Sequence, residues 1–286
     1  MIGKFNFFDI YGYFPGLVLL TLQAIPFGLV TGQWPGGGQL ITALLGIPLA
    51  YVVGHLLRTL KILFEEVDGG RFPSDSLLDL NPSGDANEGF SEDFKERLRS
   101  QIRARFGLVV EFDEQGHIVP GQQAFLLCRS LLVSGKAVSY AEQFEGMYAL
   151  MQGFPSAFLL SAAHYLGWVL AAFRYDSAVL KSWLLIGSLL CAIVLVWKSP
   201  NTKPAFYALL VALLSSGYLL GDSHPPDRTL GSWFFAMALS SALFAQLCFG
   251  AFRHFAWQFA KTIYLDFSSY VSTHSETAEI EGAGLK

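Results

Sequence analysis

The sequence is short of charge. Of its 286 residues only 15% are Asp, Glu, Lys or Arg, where soluble domains carry about 25%. With 52% hydrophobic residues and a mean hydropathy of +0.42, an ordinary water-soluble globule is excluded. Disorder is excluded too, because 15% of the residues are aromatic and disordered chains are polar and poor in rings. Cysteine is scarce: Cys128, Cys191 and Cys248 stand far apart, which excludes a disulfide framework and any paired C-x-x-C site. Cys191 and Cys248 lie in apolar runs, where a thiol behaves as a small hydrophobe. A strong net charge is lacking as well. At −4 the chain has no basic surplus with which to capture nucleic acid in bulk.

Chemical signatures are equally sparse. There is no H-E-x-x-H, G-x-S-x-G or P-loop, so no catalytic residue, metal or cofactor is expected. Ser216 and His254 could suggest an intramembrane serine protease, but the expected spans put them at different depths. No apolar run has an Asp or Glu at its centre, as the coupling site of an ion-driven transporter usually needs. Neither a 20–50-residue repeat nor an inverted repeat of spans is visible.

What is present is a set of apolar runs near the ~20 residues that cross a bilayer. They are Phe14–Val30, Gln39–Leu57, Phe154–Phe173, Ser182–Trp197, Ala205–Leu220 and Leu230–Phe252. The fourth and fifth are the shortest, so six spans are expected, or four if those two form a re-entrant pair. Phe5, Phe7, Phe8, Tyr11 and Tyr13 precede the first run as an interfacial belt. With no small-residue cleavage site after it, that run reads as an uncleaved span. Pro15 and Pro26 require neighbouring helices to take up the carbonyls they free. A break is expected near Gly153-Phe154-Pro155.

Lys4, Arg58, Lys61, Lys198, Lys203, Arg253 and Lys261 flank the runs on one side, against Arg174, Lys181 and Arg228 on the other. The excess places both termini in the cytoplasm of a cell inner membrane. The fold class is therefore an all-α polytopic membrane protein with a small α+β cytoplasmic insertion between helices 2 and 3. The expected divisions are 1–63 for the first two spans, 64–151 for the insertion, 152–252 for the later spans, and 253–286 for an amphipathic segment and frayed tail.

Inside the insertion, residues 68–89 read as irregular. Phe90, Phe94, Leu98, Ile102 and Phe106 then form the apolar stripe of a helix, with Ser91 as its N-cap. Leu108 to Phe112 and His117 to Val119 flank Asp113-Glu114-Gln115-Gly116, a hairpin signal. Gln122 to Val133 reads as a second helix. Ser139-Tyr140-Ala141-Glu142 is a capping box that opens the helix leading into the third span.

Polar residues within spans are the first functional suspects. His164 is either a proton or ligand relay or a hydrogen-bonded packing residue beside the small face Ala163-xxx-Gly167. Tyr51, His55 and Arg58 share one helix face, as a polar track or as an interfacial belt with Arg58 reaching headgroups. Gln23 and Gln246 are expected to bond between helices. On the Ser91 helix, Lys95, Arg99 and Arg103 form a basic stripe. It is a solvated face, a contact with anionic lipid or a protein partner, or a site for a nucleotide signal. Against a phosphate ligand, residues 64–151 hold fifteen acids and eight bases.

Phe8-Asp9-Ile10-Tyr11-Gly12-Tyr13-Phe14-Pro15-Gly16 resembles a run of poorly characterised bacterial polytopic inner-membrane proteins, in which an aromatic-Asp pair precedes Gly-Tyr-x-Pro-Gly. Tyr51-Val52-Val53-Gly54-His55 is similar to the end of their second span, and Tyr140 to Tyr148 to the helix before their third. The likeness covers about a third of the chain and carries no catalytic residue. It implies two spans, a cytoplasmic insertion and further spans, and by analogy a membrane effector of bacterial defence. The leading expectation is a non-enzymatic, homo-oligomeric pore or membrane-perturbing effector controlled through its cytoplasmic domain by a protein partner. The rivals are a transporter or channel subunit, and an anchor that recruits a soluble protein.

Overall fold

A computed structural model describes residues 7–33, 39–59, 73–79, 89–135, 141–173 and 202–283. The expected span Ser182–Trp197, Cys191, residues 34–38, most of the 68–89 segment, and Ser139 and Tyr140 lie outside the described residues, as does the side chain of Arg58. The described chain is mostly helical: α1 (Phe7–Thr31), α2 (Gln39–Thr59), the single turn α3 (Pro73–Ser76), α4 (Glu92–Phe106), β1 (Glu111–Phe112), β2 (Ile118–Val119), α5 (Gly121–Ser134), α6 (Ala141–Ala172), α7 (Thr202–Ser223) and α8 (Arg228–Ala283). Stretches of α1, α6 and α8 are long and apolar enough to cross a membrane, and α2 and α7 contain shorter apolar stretches. The chain divides into two compact units, Met1–Phe64 with Ala149–Phe252, and Glu65–Tyr148 with Arg253–Lys286.

In the first unit α6 is the central helix. Two thirds of its apolar window is buried, against 28% for α1 and 22% for α8. Small residues set the spacing. A side chain at Gly16 of α1 would run into the Ala50 carbonyl and the Gly54 amide of α2. Gly167 of α6 lies against the backbone of Leu214 and Tyr218 of α7, and Gly217 of α7 lies against the His164 carbonyl. Gly221 and Gly231 meet the methyl groups of Ala171 and Ala172. Backbones this close gain dispersion contacts that apolar burial alone does not supply in lipid. Leu19, Leu57, Ala157 and Leu160 fill the space between helices, and Trp168 packs on Phe234 with ring centroids 5.7 Å apart.

The break expected at Gly153–Pro155 is absent, and α6 runs unbroken through Pro155. The proline removes one backbone bond, but long apolar helix flanks it and Gly153, Pro155, Ser156 and Ala157 are all buried. An opened turn there would expose more unsatisfied backbone than the proline does.

The second unit has a core of Leu77, Leu78, Leu98, Ile102, Ile118, Phe125, Cys128, Leu132, Ile263, Tyr264 and Phe267, among others. The stripe on α4 is its floor, and Leu98 and Ile102 are fully buried. Ser91 caps α4 by accepting from the Phe94 amide at 3.4 Å. Gly107 ends it at φ 66°, a left-handed turn that costs glycine little. The hairpin pairs Glu111 with Val119 and Phe112 with Ile118. Its turn is held by the Asp113 carboxylate, which accepts from the Gln115 and His117 amides at 2.9 and 2.8 Å. The strands are two residues each, shorter than the sequence pattern suggests.

The segment after Phe252 belongs to this same unit. Trp257, Ala260, Ile263, Tyr264 and Phe267 are its buried stripe. Phe106 stacks on Phe267 at 5.7 Å, and the Tyr264 hydroxyl donates to the Ser74 carbonyl at 3.1 Å. The tail expected to fray from Ser272 continues as helix to Ala283. Residues 68–89, expected to be irregular, contain α3, whose following residues Leu77 and Leu78 enter the core.

Candidate functional site

His164 is 3% exposed and lies where α6 crosses α7. One turn on, the Trp168 indole N–H donates to His164 Nε2 at 3.1 Å. An indole nitrogen can only donate, so Nε2 is the unprotonated nitrogen, and the ring is the neutral tautomer with its proton on Nδ1. Nδ1 lies 3.3 Å from both the Leu213 carbonyl and the Ser216 hydroxyl. Ser216 in turn donates to the Leu213 carbonyl at 2.9 Å. Every polar atom of this knot is thereby used. Ser216 faces a nitrogen that already carries its proton, so His164 cannot serve as its base. Protonating Nε2 would set two donors head to head. The arrangement is that of the hydrogen-bonded packing residue, and a relay through His164 has no open acceptor.

A second bond of the same unit answers a proline. Pro26 has no N–H for the Leu22 carbonyl, and the Tyr165 hydroxyl of α6 donates to that carbonyl at 2.7 Å. Tyr165 is 1% exposed. The requirement that a neighbour take up a carbonyl freed by proline is met here.

Tyr51 and His55 do share a face, with ring centroids 4.3 Å apart. Tyr51 is 40% exposed and His55 half-buried. His55 Nε2 is buried and has no hydrogen-bond partner among the described residues. Gln23 is half-buried, but Gln246 is not between helices of the described chain. It is exposed on α8, on the face that carries Leu239, Leu243 and Leu247.

The basic stripe of α4 divides. Steps of four residues drift by about 40° on a 3.6-residue helix, so Lys95 and Arg103 are about 80° apart. Lys95 points inward at 2% exposure, and its Nζ donates to the Asp79 carbonyl and to Glu92 Oε1, both at 2.7 Å. The Asp79 carboxylate, also buried, accepts from the Ile118 amide at 2.6 Å. This pair ties the turn after α3 to α4 and the hairpin. Arg99 lies over the Phe112 ring at 4.5 Å. Arg103 is exposed, as are Arg97 and Arg105. The exposed Arg97, Arg103 and Arg105 lie on different sides of α4, so neither they nor the expected trio make a single outward basic stripe. Arg129 Nη2 bonds both oxygens of Glu145 at 2.6 and 2.8 Å and joins α5 to α6 within this unit.

Cys128 is fully buried, and burial pushes its thiol up to about 12. It is inert as a nucleophile. Among the described residues no three His, Cys, Asp or Glu side chains are grouped to hold a metal.

The partners of these residues are less legible in the sequence than the residues themselves. Trp168 was legible as the i+4 neighbour of His164, and Leu22 as the orphan of Pro26. Asp79 was not, because its segment has no periodicity. The class these features define is a helical protein with, among the described residues, three helices long and apolar enough to span a membrane, and with a second, hydrophilic unit. Protein-family models, curated proteins and solved structures contain no significant match to the chain.

Proposed function

We propose that the chain is an integral protein of a bacterial inner membrane that acts as a non-enzymatic effector. Its spans number six, or four with a re-entrant pair, and both termini and the hydrophilic unit face the cytoplasm. That unit receives a protein partner or a small signal, and the spans repack so that the bilayer leaks. The observation that carries this reading is the sharing of helices: α6 and α8 each supply residues to the apolar unit and to the hydrophilic unit without a break. A helix continuous in sequence through both is a physical route by which an event in one biases packing in the other. The lysine and arginine asymmetry supports the orientation. The bonded state of His164 weighs against a proton-coupled transport pathway. Exposed arginines of α4, Arg103 among them, are the contacts offered to an acidic partner, and the resemblance of the first span supports a place in bacterial defence.

The test is expression of the full chain together with its genomic neighbours while membrane potential is followed with a voltage-sensitive dye. Collapse of the potential on triggering is expected. Potential and growth that persist under every trigger would overturn the proposal.

A further inference from the structure

The apolar part of α8 carries a buried seam and, within a broad exposed face that also holds Trp233, Phe235, Phe244 and Leu247, an outward one. The inner one is Gly231, Phe234, Ala238, Ser241, Ala245 and Phe252, all buried within the first unit. The other is Ser232, Ala236, Leu239, Leu243, Gln246 and Gly250, all exposed. Its spacing is 4-3-4-3-4, the alternation that keeps one helix face against a partner helix. Leu239 and Leu243 are 54% and 59% exposed. Nothing lies within 4 Å of where a side chain at Gly250 would start.

Apolar exposure alone would be met by lipid tails. Gln246 would not. Its amide lies inside the apolar run, about 10 Å along the helix from Arg253 at 1.5 Å per residue, and it has no hydrogen-bond partner among the described residues. In hydrocarbon an unpaired amide is costly. An amide carries both donors and an acceptor, so two copies can satisfy each other. Membrane insertion gives every copy the same orientation, which sets a twofold axis along the membrane normal and brings the two Gln246 side chains to one depth. Gly250, one turn further along the same seam, lets the backbones approach.

From this we infer that the Ser232–Gly250 seam of α8 is a docking surface for a second copy of this chain, with a reciprocal Gln246–Gln246 amide pair one turn before its end at Gly250. The inference rests on the reading that α8 spans the bilayer, and it names the self-association surface of the proposed effector.

The experiment is cysteine cross-linking of the full chain in native membranes, with Cys191 and Cys248 replaced by Ser and the buried Cys128 retained. Leu239→Cys, Leu243→Cys and Gln246→Cys should give covalent dimers on mild oxidation, and Ala238→Cys and Ala245→Cys on the inner seam should not. With all three native cysteines in place, Gln246→Leu should weaken dimerisation about threefold to tenfold in a dilution series read by energy transfer, and Gln246→Asn should restore part of it. Dimers that form equally from both seams, or none in membranes that retain the protein, overturn the seam. So does Leu243→Cys, with Cys191 restored, closing onto Cys191 of the same chain, which makes the occupant intramolecular. Protein released from the membranes by alkali instead removes the spanning reading itself.

Discussion

At the scale of single residues, the buried polar atoms carry the most testable content. Tyr165→Phe removes one oxygen and leaves the Leu22 carbonyl without a donor, since Pro26 cannot supply one. A loss of about 1–3 kcal/mol in stability is expected, read as a lowered midpoint of unfolding in detergent. Restoring the backbone donor with Pro26→Ala should reduce that loss in the double variant, and an undiminished loss would contradict the pairing. Lys95→Ala removes the buried donor to the Asp79 carbonyl, while the exposed Glu92 is left to water, and should destabilise the hydrophilic unit by about 1–3 kcal/mol, whereas Arg103→Ala should cost under about 0.5 kcal/mol. Cys128 adds a pH dependence. Its folded-state thiol is held at about 12, above the ordinary value of 9.0. The neutral thiol is therefore favoured by folding, and its contribution is complete below pH 9. It is lost as pH rises from about 9 to about 12, at about 1.4 kcal/mol per unit. At about pH 8, where the unfolded thiol is partly ionised and reactive, Cys128 should resist alkylation until denaturant is added, and labelling in the native state would contradict the burial.

At the scale of elements, the glycine contacts between α6 and α7 predict a steep size dependence. Gly217→Ala should weaken the packing of the first unit measurably, and Gly217→Leu should abolish a stable fold in detergent, because the obstructing atoms are backbone of His164 rather than a flexible side-chain end. Gly250→Ala, with open space around it, should leave the fold of the monomer unchanged. The elements also mark how far the sequence could be read. The 3.6-residue stripe of α4, its Ser91 cap and the Asp113–Gly116 turn are local patterns, and each is where local chemistry puts it. The break at Pro155 does not occur because burial around a proline is a tertiary fact. The turn after α3 is unreadable for a related reason: Leu77 and Leu78 are core residues only because α4, α5 and the end of α8 enclose them. A lysine beside an apolar stripe, as Lys95 is, looks solvated until the carbonyl that receives it, sixteen residues earlier, is known. The contact of His164 with Ser216 bridges 52 residues and leaves no local trace.

At the scale of the whole molecule, the chain combines an apolar helical unit with a hydrophilic unit made from two separate stretches, 65–148 and 253–286. Removing the segment after Phe252 should therefore do more than trim a tail. It takes Trp257, Ile263, Tyr264 and Phe267 out of the core of the insertion, and truncation at residue 252 should leave 65–148 sensitive to protease while the earlier spans remain in the membrane. All of these roles depend on the chain being threaded through lipid with its hydrophilic unit inside. Labelling of single cysteines in intact cells with a membrane-impermeant maleimide probes that threading, using Ser130→Cys on the exposed face of α5 and His224→Cys in the link between α7 and α8. Position 224 should label in intact cells and position 130 only after lysis. Labelling of position 130 from outside, or recovery of the protein in the soluble fraction, would contradict the threading.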